Sequence, residues 1–131
     1  MIVFCCGLME VSFLIISFIC STALSVKYGG YLKNGYIKNP LIFGDDKCKG
    51  ILPETSLNKY PVGNCAEVDA VNNALNSGAE LSHLHLTTIH VTKSSFGKYK
   101  ESCENCTYAF RGRVKKNYSG WKEGIKPWQT K

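Results

Sequence analysis

The sequence predicts an α/β domain, and three segments in its second half carry that prediction. A helical pattern covers residues 64–77, an alternating run rich in β-forming residues covers 81–91, and a second helical pattern begins near Cys103. A helix that leads into a strand and then into another helix is typical of a layered α/β sheet. The 131 residues are enough for one such domain with its own hydrophobic core.

The first 26 residues form a hydrophobic tract with a single charged residue, Glu10. Its uncharged part, residues 11–26, has the length of a signal-peptide core and is short for a membrane-spanning helix. An export signal, a membrane anchor and the remnant of a longer upstream protein all fit this pattern. We expect residues 1–26 to be a hydrophobic signal-like or anchor-like segment outside the fold, and residues 27–131 to be the domain.

Residues 27–63 contain many turn-forming residues. Asn34-Gly35 stands between two short apolar runs and predicts a hairpin turn, with short strands over residues 27–44. Glycine and proline recur through residues 44–63, which predicts a loop there.

The helix over residues 64–77 has the clearest pattern. Asn64 is suited to be its N-cap, which places Glu67 at the third helical position, where the carboxylate of a capping box stands. The small and apolar residues that recur on one helical face are Ala70, Val71, Ala74 and Leu75. After the 81–91 strand we expect a loop over 94–102, a helix from Cys103 through Lys116, and one short strand in the tail.

The seven cysteines are spread unevenly along the chain. Three lie in the hydrophobic tract, Cys48 stands alone, and the remaining three are Cys65, Cys103 and Cys106. An odd number argues against a disulfide framework, whereas a C-x-x-C pair with one distant partner indicates metal or redox chemistry. Cys103 and Cys106 project from one helical face, and a helix N-terminus favours the thiolate that a metal requires. These three cysteines are therefore the candidate ligands of a zinc ion.

Glu67 stands two residues beyond Cys65, at the inner edge of the apolar helical face, where a carboxylate without a partner is costly. Three protein ligands leave the fourth position of zinc to water, as in catalytic sites. A fourth ligand from a histidine of the 81–91 strand would make the site structural instead. Beside a catalytic zinc, Glu67 can act as a general acid and base, and helix capping is the alternative.

The motif CAE at residues 65–67, followed by CENC at 103–106, resembles the zinc-dependent cytidine deaminase-like superfamily. The resemblance covers roughly residues 48–112, including GILPETSLN and GNCAEVDAVNNAL, and looks closest to the YwqJ-like deaminase toxin domains of bacterial polymorphic toxins. The chain departs from many members at Ser102, where they have proline. It also has only about 20 residues after the C-x-x-C helix, where many members carry two further strands.

The resemblance implies a three-layer α/β/α sandwich with a shortened C-terminal sheet edge. It implies zinc held by the three cysteines, proton transfer by Glu67, and hydrolytic removal of ammonia from a base in a nucleotide or nucleic acid. It also implies a secreted or membrane-associated effector that acts in the cytoplasm of a target cell and has an immunity protein as its partner. Membrane contact would then involve residues 1–26 alone.

Asn64, Phe96 and Tyr99 are the candidate substrate-binding residues. Asn64 stands beside Cys65 and can hydrogen bond to a base or ribose, while the two aromatic rings can stack on a base. Helix capping and ordinary packing are the alternatives for these residues. The net charge of +6 fits either a solvated basic surface or nucleic-acid binding.

Two other functions fit the cysteine pattern. A non-catalytic, zinc-stabilised binding module, or a decayed toxin fragment, would use the same ligands without the reaction. A thiol oxidoreductase would cycle Cys103 and Cys106 through a disulfide without metal, and would leave Cys65 and Glu67 without a role.

Overall fold

A computed structural model of the chain describes residues 2–6, 14–17, 37–90 and 92–125, the first two segments by their backbone. Seven elements follow one another in these segments. They are β1 (Ile2–Cys6), β2 (Leu14–Ser17), α1 (Pro40–Phe43), α2 (Ala66–Asn76), β3 (His85–Ile89), α3 (Glu104–Phe110) and β4 (Lys116–Asn117). This mixture of helices and strands is compatible with the predicted α/β class.

The strands form one sheet in the order β2-β1-β3-β4. β1 pairs antiparallel with β2 and parallel with β3, with Ile2 opposite His85. β4 pairs parallel with β3, with His85 opposite Lys116. The sheet is therefore mixed, and β3 stands between a strand from the start of the chain and one from its end.

The hydrophobic N-terminal tract supplies two of these strands, β1 and β2. The sequence predicts a segment outside the fold over residues 1–26, whereas the backbone pairing of residues 2–6 places part of that tract beside β3. Its role in targeting or anchoring stays a prediction. Within the described part of the chain, no helix combines the length and apolar character that a membrane crossing requires.

The predicted hairpin at Asn34-Gly35 lies outside the described residues, but the strand expected at its C-terminal side is wrong. Pro40–Phe43 is a single helical turn, because Pro40 has the backbone angle of a first helical residue and Asn39 caps it. The Asn39 Oδ1 atom accepts a hydrogen bond from the Leu41 amide at 3.0 Å. Residues 44–63 contain no helix or strand, as predicted.

Helix α2 begins one residue later than the capping pattern predicts. Cys65, not Asn64, is the N-cap, and it makes no side-chain capping bond, so Glu67 stands at the second helical position. The predicted capping box is therefore absent. The helix ends at Asn76, and Gly78 follows with a φ of 90° that favours glycine.

The strand and the second helix are both shorter than predicted. Leu81–His83 forms a 3-10 turn, which leaves His85–Ile89 as the strand. Helix α3 ends at Phe110 because Gly112 adopts a φ of 82° and turns the chain toward β4. Lys116–Asn117 instead forms β4, where the end of the second helix was predicted. The described part of the tail, residues 118–125, contains no strand.

The core joins one face of α2 to β3 and α3. Its buried apolar residues are Ile42, Ala66, Val68, Ala70, Val71, Ala74, Leu84, Leu86, Cys106, Ala109, Phe110 and Val114. Cys106 belongs to this cluster, so the C-x-x-C pair stands at the boundary between the core and the surface. Phe110 is the largest of the fully buried side chains.

We expect Phe110→Ala to lower the free energy of unfolding by about 3–5 kcal/mol, because it leaves a cavity in the core. Phe96→Ala is the matched control, since the Phe96 side chain is 69% exposed and its removal is expected to change stability by about 0.5 kcal/mol or less. Urea unfolding followed by circular dichroism measures both. If the two substitutions lowered the free energy of unfolding equally, the described core would be contradicted.

Candidate metal centre

Three cysteine thiols converge at one point of the structure. The sulfur atoms of Cys65, Cys103 and Cys106 all lie within 4.8 Å of one another, and the Cys65 and Cys103 Sγ atoms are 3.1 Å apart. Cys106 is buried and the other two are partly exposed. Cys48, by contrast, is exposed and stands outside the group.

The starts of two helices bring these thiols together. Cys65 is the N-cap of α2 and Cys103 is the N-cap of α3. Cys106 lies three residues beyond Cys103, in the first turn of α3, so both side chains share one face of that helix. The packing of α2 and α3 in a common core then places Cys65 against the C-x-x-C pair.

The donor set suits a metal ion. Zinc–sulfur bonds of about 2.3 Å in tetrahedral geometry place two sulfur ligands about 3.8 Å apart, so small movements would fit the three thiols around one zinc ion. In the part of the chain that the structure describes, the group contains no histidine. His85 instead hydrogen bonds through Nδ1 to the Tyr118 hydroxyl at 3.0 Å. The three cysteines can therefore bind a metal ion as a three-thiol set.

The three thiols differ in pKa. Hydrogen bonding with Cys106, and next with Cys65, lowers the pKa of Cys103 to about 3, and the backbone amides of Cys106 and Asn105 act in the same direction. The pKa values of Cys65 and Cys106 are raised, in each case chiefly by the hydrogen bond with Cys103 and also by burial. Cys103 is thus the thiol most ready to become a thiolate, and a divalent cation would favour the thiolate form of all three.

Glu67 is buried beside the three thiols. Its side chain is 4% exposed, and the hydroxyl of the buried Thr88 donates a hydrogen bond to Glu67 Oε1 at 3.1 Å. Burial raises the pKa of Glu67, and the nearby charge of Cys103 raises it further. The carboxylate thus contacts the thiol group and Thr88, and it also bonds to its own backbone amide in the first turn of α2.

Thr88 is held by the segment that follows β4, a contact that the sequence did not predict. The Ser119 hydroxyl accepts a hydrogen bond from the Thr88 amide and donates one to the Thr88 carbonyl oxygen at 2.9 Å. Thr87 and Thr88 are both buried, so this part of β3 breaks the alternation expected of a half-exposed strand. That break in β3 is the signal that could have identified Thr88.

Ser102, the residue before the C-x-x-C pair, is also fixed by hydrogen bonds. Its hydroxyl accepts from Asn117 Nδ2 at 2.7 Å, and its amide donates to the Gly120 carbonyl oxygen at 3.2 Å. Ser102 is fully buried. The residue before the C-x-x-C pair is therefore held by β4 and the turn after it.

The three predicted substrate-binding residues have different surroundings. Asn64 adjoins Cys65, and its Oδ1 atom is buried without a hydrogen-bond partner among the described residues. Tyr99 is 66% exposed and pairs by its backbone with Ile89, the residue after Thr88. Phe96, 69% exposed, lies farther along the same turn. The structure thus brings Asn64 to the metal centre and leaves both aromatic rings facing solvent.

Comparison with known proteins does not place the chain in a group. No family model, no curated protein and no solved structure matches it.

We expect the full chain to bind one zinc ion, and Cys103→Ser to abolish stoichiometric binding, because it removes the thiol best suited to ionise. Cys48→Ser is the matched control and is expected to keep the full zinc content, since Cys48 is exposed and stands outside the group. Mass spectrometry of the native protein gives the stoichiometry. Equal zinc content in the two variants would contradict this metal centre.

Proposed function

We propose that the chain is a zinc-dependent hydrolase that removes ammonia from a nucleobase in a nucleotide or nucleic acid. The observation that carries this proposal is the buried Glu67 carboxylate, held by Thr88 beside three convergent thiols. A buried carboxylate that stands beside a metal site without being one of its ligands has the position of a general acid and base. The resemblance of CAE and CENC to the cytidine deaminase-like superfamily supports the same reaction.

Zinc bound by the three cysteines would supply a Lewis acid that activates a water molecule. Glu67 accepts the proton that this water loses and passes it to the ring nitrogen of the base. The oxygen of the water would form a bond to the carbon that carries the exocyclic amine. Glu67 would then move the second proton of the same water to that amine, and the carbon–nitrogen bond would break. The products are ammonia and a base with a carbonyl oxygen in place of the amine, so one water is consumed for each ammonia released.

Thr88 keeps Glu67 in position for these transfers. Its hydroxyl donates to Glu67 Oε1 at 3.1 Å and so fixes the carboxylate beside the thiols, where it would exchange protons with the reacting groups. Asn64 has an unused buried acceptor next to Cys65 and is suited to accept a hydrogen bond from the base or sugar. Phe96 and Tyr99 offer exposed rings on which a base can stack.

We also propose the setting that the resemblance implies. The domain would be a three-layer α/β/α sandwich and a bacterial toxin domain, with an immunity protein as its partner. It would be exported or membrane-associated, through residues 1–26, and would act in the cytoplasm of a target cell. The motifs at 65–67 and 103–106 support this setting, and they do so only through the resemblance.

We expect Glu67→Gln to keep bound zinc and to lower the rate of ammonia release by about 10²–10⁴-fold, since the amide cannot carry the proton. Glu80→Gln is the matched control, because Glu80 is exposed and pairs with His83 away from the thiols. Ammonia release from cytidine, adenosine and single-stranded nucleic acids is measured for the parent and both variants. Zinc without ammonia from any of these substrates in the parent would favour the non-catalytic binding module.

We expect Phe96→Ala and Tyr99→Ala each to raise KM with little change in kcat, since a stacked base is worth about 1–3 kcal/mol of binding. Tyr118→Ala is the matched control, because Tyr118 is exposed but contacts His85 rather than the turn after β3. Steady-state kinetics on the best substrate give both constants. If KM rose equally in all three variants, the cause would be general destabilisation, and stacking on Phe96 and Tyr99 would be contradicted.

A further inference from the structure

Asn105 lies between two of the candidate ligands, Cys103 and Cys106, and its side chain is fully buried. It makes no contact with solvent and instead binds a loop about fifty residues earlier in the chain. Its Oδ1 atom accepts a hydrogen bond from the Leu57 amide at 2.8 Å. Its Nδ2 atom donates to Ser56 Oγ at 3.1 Å and to Asn58 Oδ1 at 3.4 Å. The amide is thus bonded on both sides to the loop.

A second contact attaches the same loop to the same helical turn. Asn58 Nδ2 donates a hydrogen bond to Glu104 Oε2 at 3.1 Å. Asn58 also stiffens the loop itself, because its Oδ1 atom accepts from the Tyr60 amide at 2.9 Å and its carbonyl oxygen accepts from Ser56 Oγ at 2.9 Å. The loop is therefore held to the C-x-x-C turn at two adjacent residues.

The loop leads directly to the third candidate ligand, Cys65. Between Tyr60 and Cys65 the chain makes a turn in which the Asn64 amide donates to the Pro61 carbonyl oxygen at 3.3 Å. Gly63 adopts a φ of 83°, and a Cβ atom there would stand 3.3 Å from the Phe43 ring. This connection is short and closely packed, so a movement of the loop relative to α3 would also move Cys65.

We propose that Asn105 is a positioning residue for the metal centre, which fixes the loop at residues 56–60 to the C-x-x-C turn and thereby sets the place of Cys65 relative to Cys103 and Cys106. This inference depends on metal binding by the three cysteines and not on the reaction proposed above. Polar partners that orient metal ligands typically contribute 10–100-fold to metal affinity. Asn105 would act in this way through the loop rather than by contact with a sulfur atom.

The chain offers a matched control in Asn72. It is also a fully buried asparagine on a helix, and it also binds an earlier segment, accepting from the Asn39 amide at 2.7 Å and donating to the Ile37 carbonyl oxygen at 2.8 Å. That segment carries none of the three thiols. Asn72→Ala therefore reproduces the loss of a buried polar attachment without changing the attachment of Cys65.

The test measures zinc affinity of the full chain by competition with a chromophoric chelator, and the absorption spectrum of the Co²⁺-loaded protein. We expect Asn105→Ala to weaken zinc binding by about 10–100-fold and to alter the thiolate-to-cobalt and ligand-field bands. Asn72→Ala is expected to bind zinc and cobalt as the parent does. Neither readout requires a substrate, so the result does not depend on deaminase activity.

Ser56→Ala combined with Asn58→Ala provides a second variant in case Asn105→Ala does not fold. It removes both acceptors of Asn105 Nδ2 and leaves α3 unchanged, and we expect a loss of zinc affinity of up to about tenfold. The positioning role would be overturned if this double variant, or folded Asn105→Ala, had the zinc affinity and the cobalt spectrum of the parent. A parent chain that binds no zinc would overturn both this role and the metal centre.

Discussion

The structure depends on keeping three sulfur atoms and one carboxylate together in a place that is largely closed to water. Removing ionisable groups from water is costly unless they find partners, and Cys106 and Glu67 are both buried. Their partners come from the other thiols and from Thr88. A bound cation would also compensate the negative charge that the thiolates carry. The cluster lies where α2 and α3 begin, since Cys65 and Cys103 are their N-caps.

Hydrogen bonds rather than apolar packing determine the arrangement around the cluster. Ser119 fixes Thr88, Asn117 fixes Ser102, and Asn105 fixes the loop that precedes Cys65. Buried polar groups with satisfied hydrogen bonds specify one geometry more sharply than apolar side chains, which tolerate repacking. The apolar core beneath, with Phe110 at its centre, supplies stability for this framework. Cys106 belongs both to the apolar core and to the thiol group, so stability and site geometry meet at that residue.

The sequence predicted the residues of the site better than the limits of the elements. Local helical spacing, which a sequence shows directly, predicted that Cys103 and Cys106 share one helical face. It also predicted that Glu67 lies close to Cys65. The position of Thr88 depends on Ser119, which follows β4, and that of Asn105 on a loop about fifty residues away. Contacts between distant segments leave no periodic pattern, so Asn105 was not predicted, and for Thr88 the sequence offers only the break in the alternation of β3.

The errors in the element limits have local physical causes. Asn64 is a favourable N-cap by residue type, but the helix begins after Cys65, which belongs to the thiol group. The run that follows Phe110 contains good helix formers, yet the positive φ of Gly112 ends the helix. Pro40 marks a turn in sequence, and here the turn is the first one of a helix. Pro40 and Gly112 act here through their own backbone preferences, and only the start of α2 departs from the propensity of a single residue.

The pairing of β1 with β3 inside the sheet limits the other roles that the N-terminal tract can have. β1 lies between β2 and β3, so its removal would leave the backbone amides and carbonyl groups along one side of β3 unpaired. An unpaired strand edge is a template for association with another chain, and natural proteins usually protect it. Residues 2–6 cannot pair with β3 and lie in a membrane at the same time, so the proposed export or membrane association through residues 1–26 and the paired strand are alternative states of this tract. A shortened chain that begins after the tract would therefore be prone to self-association through β3.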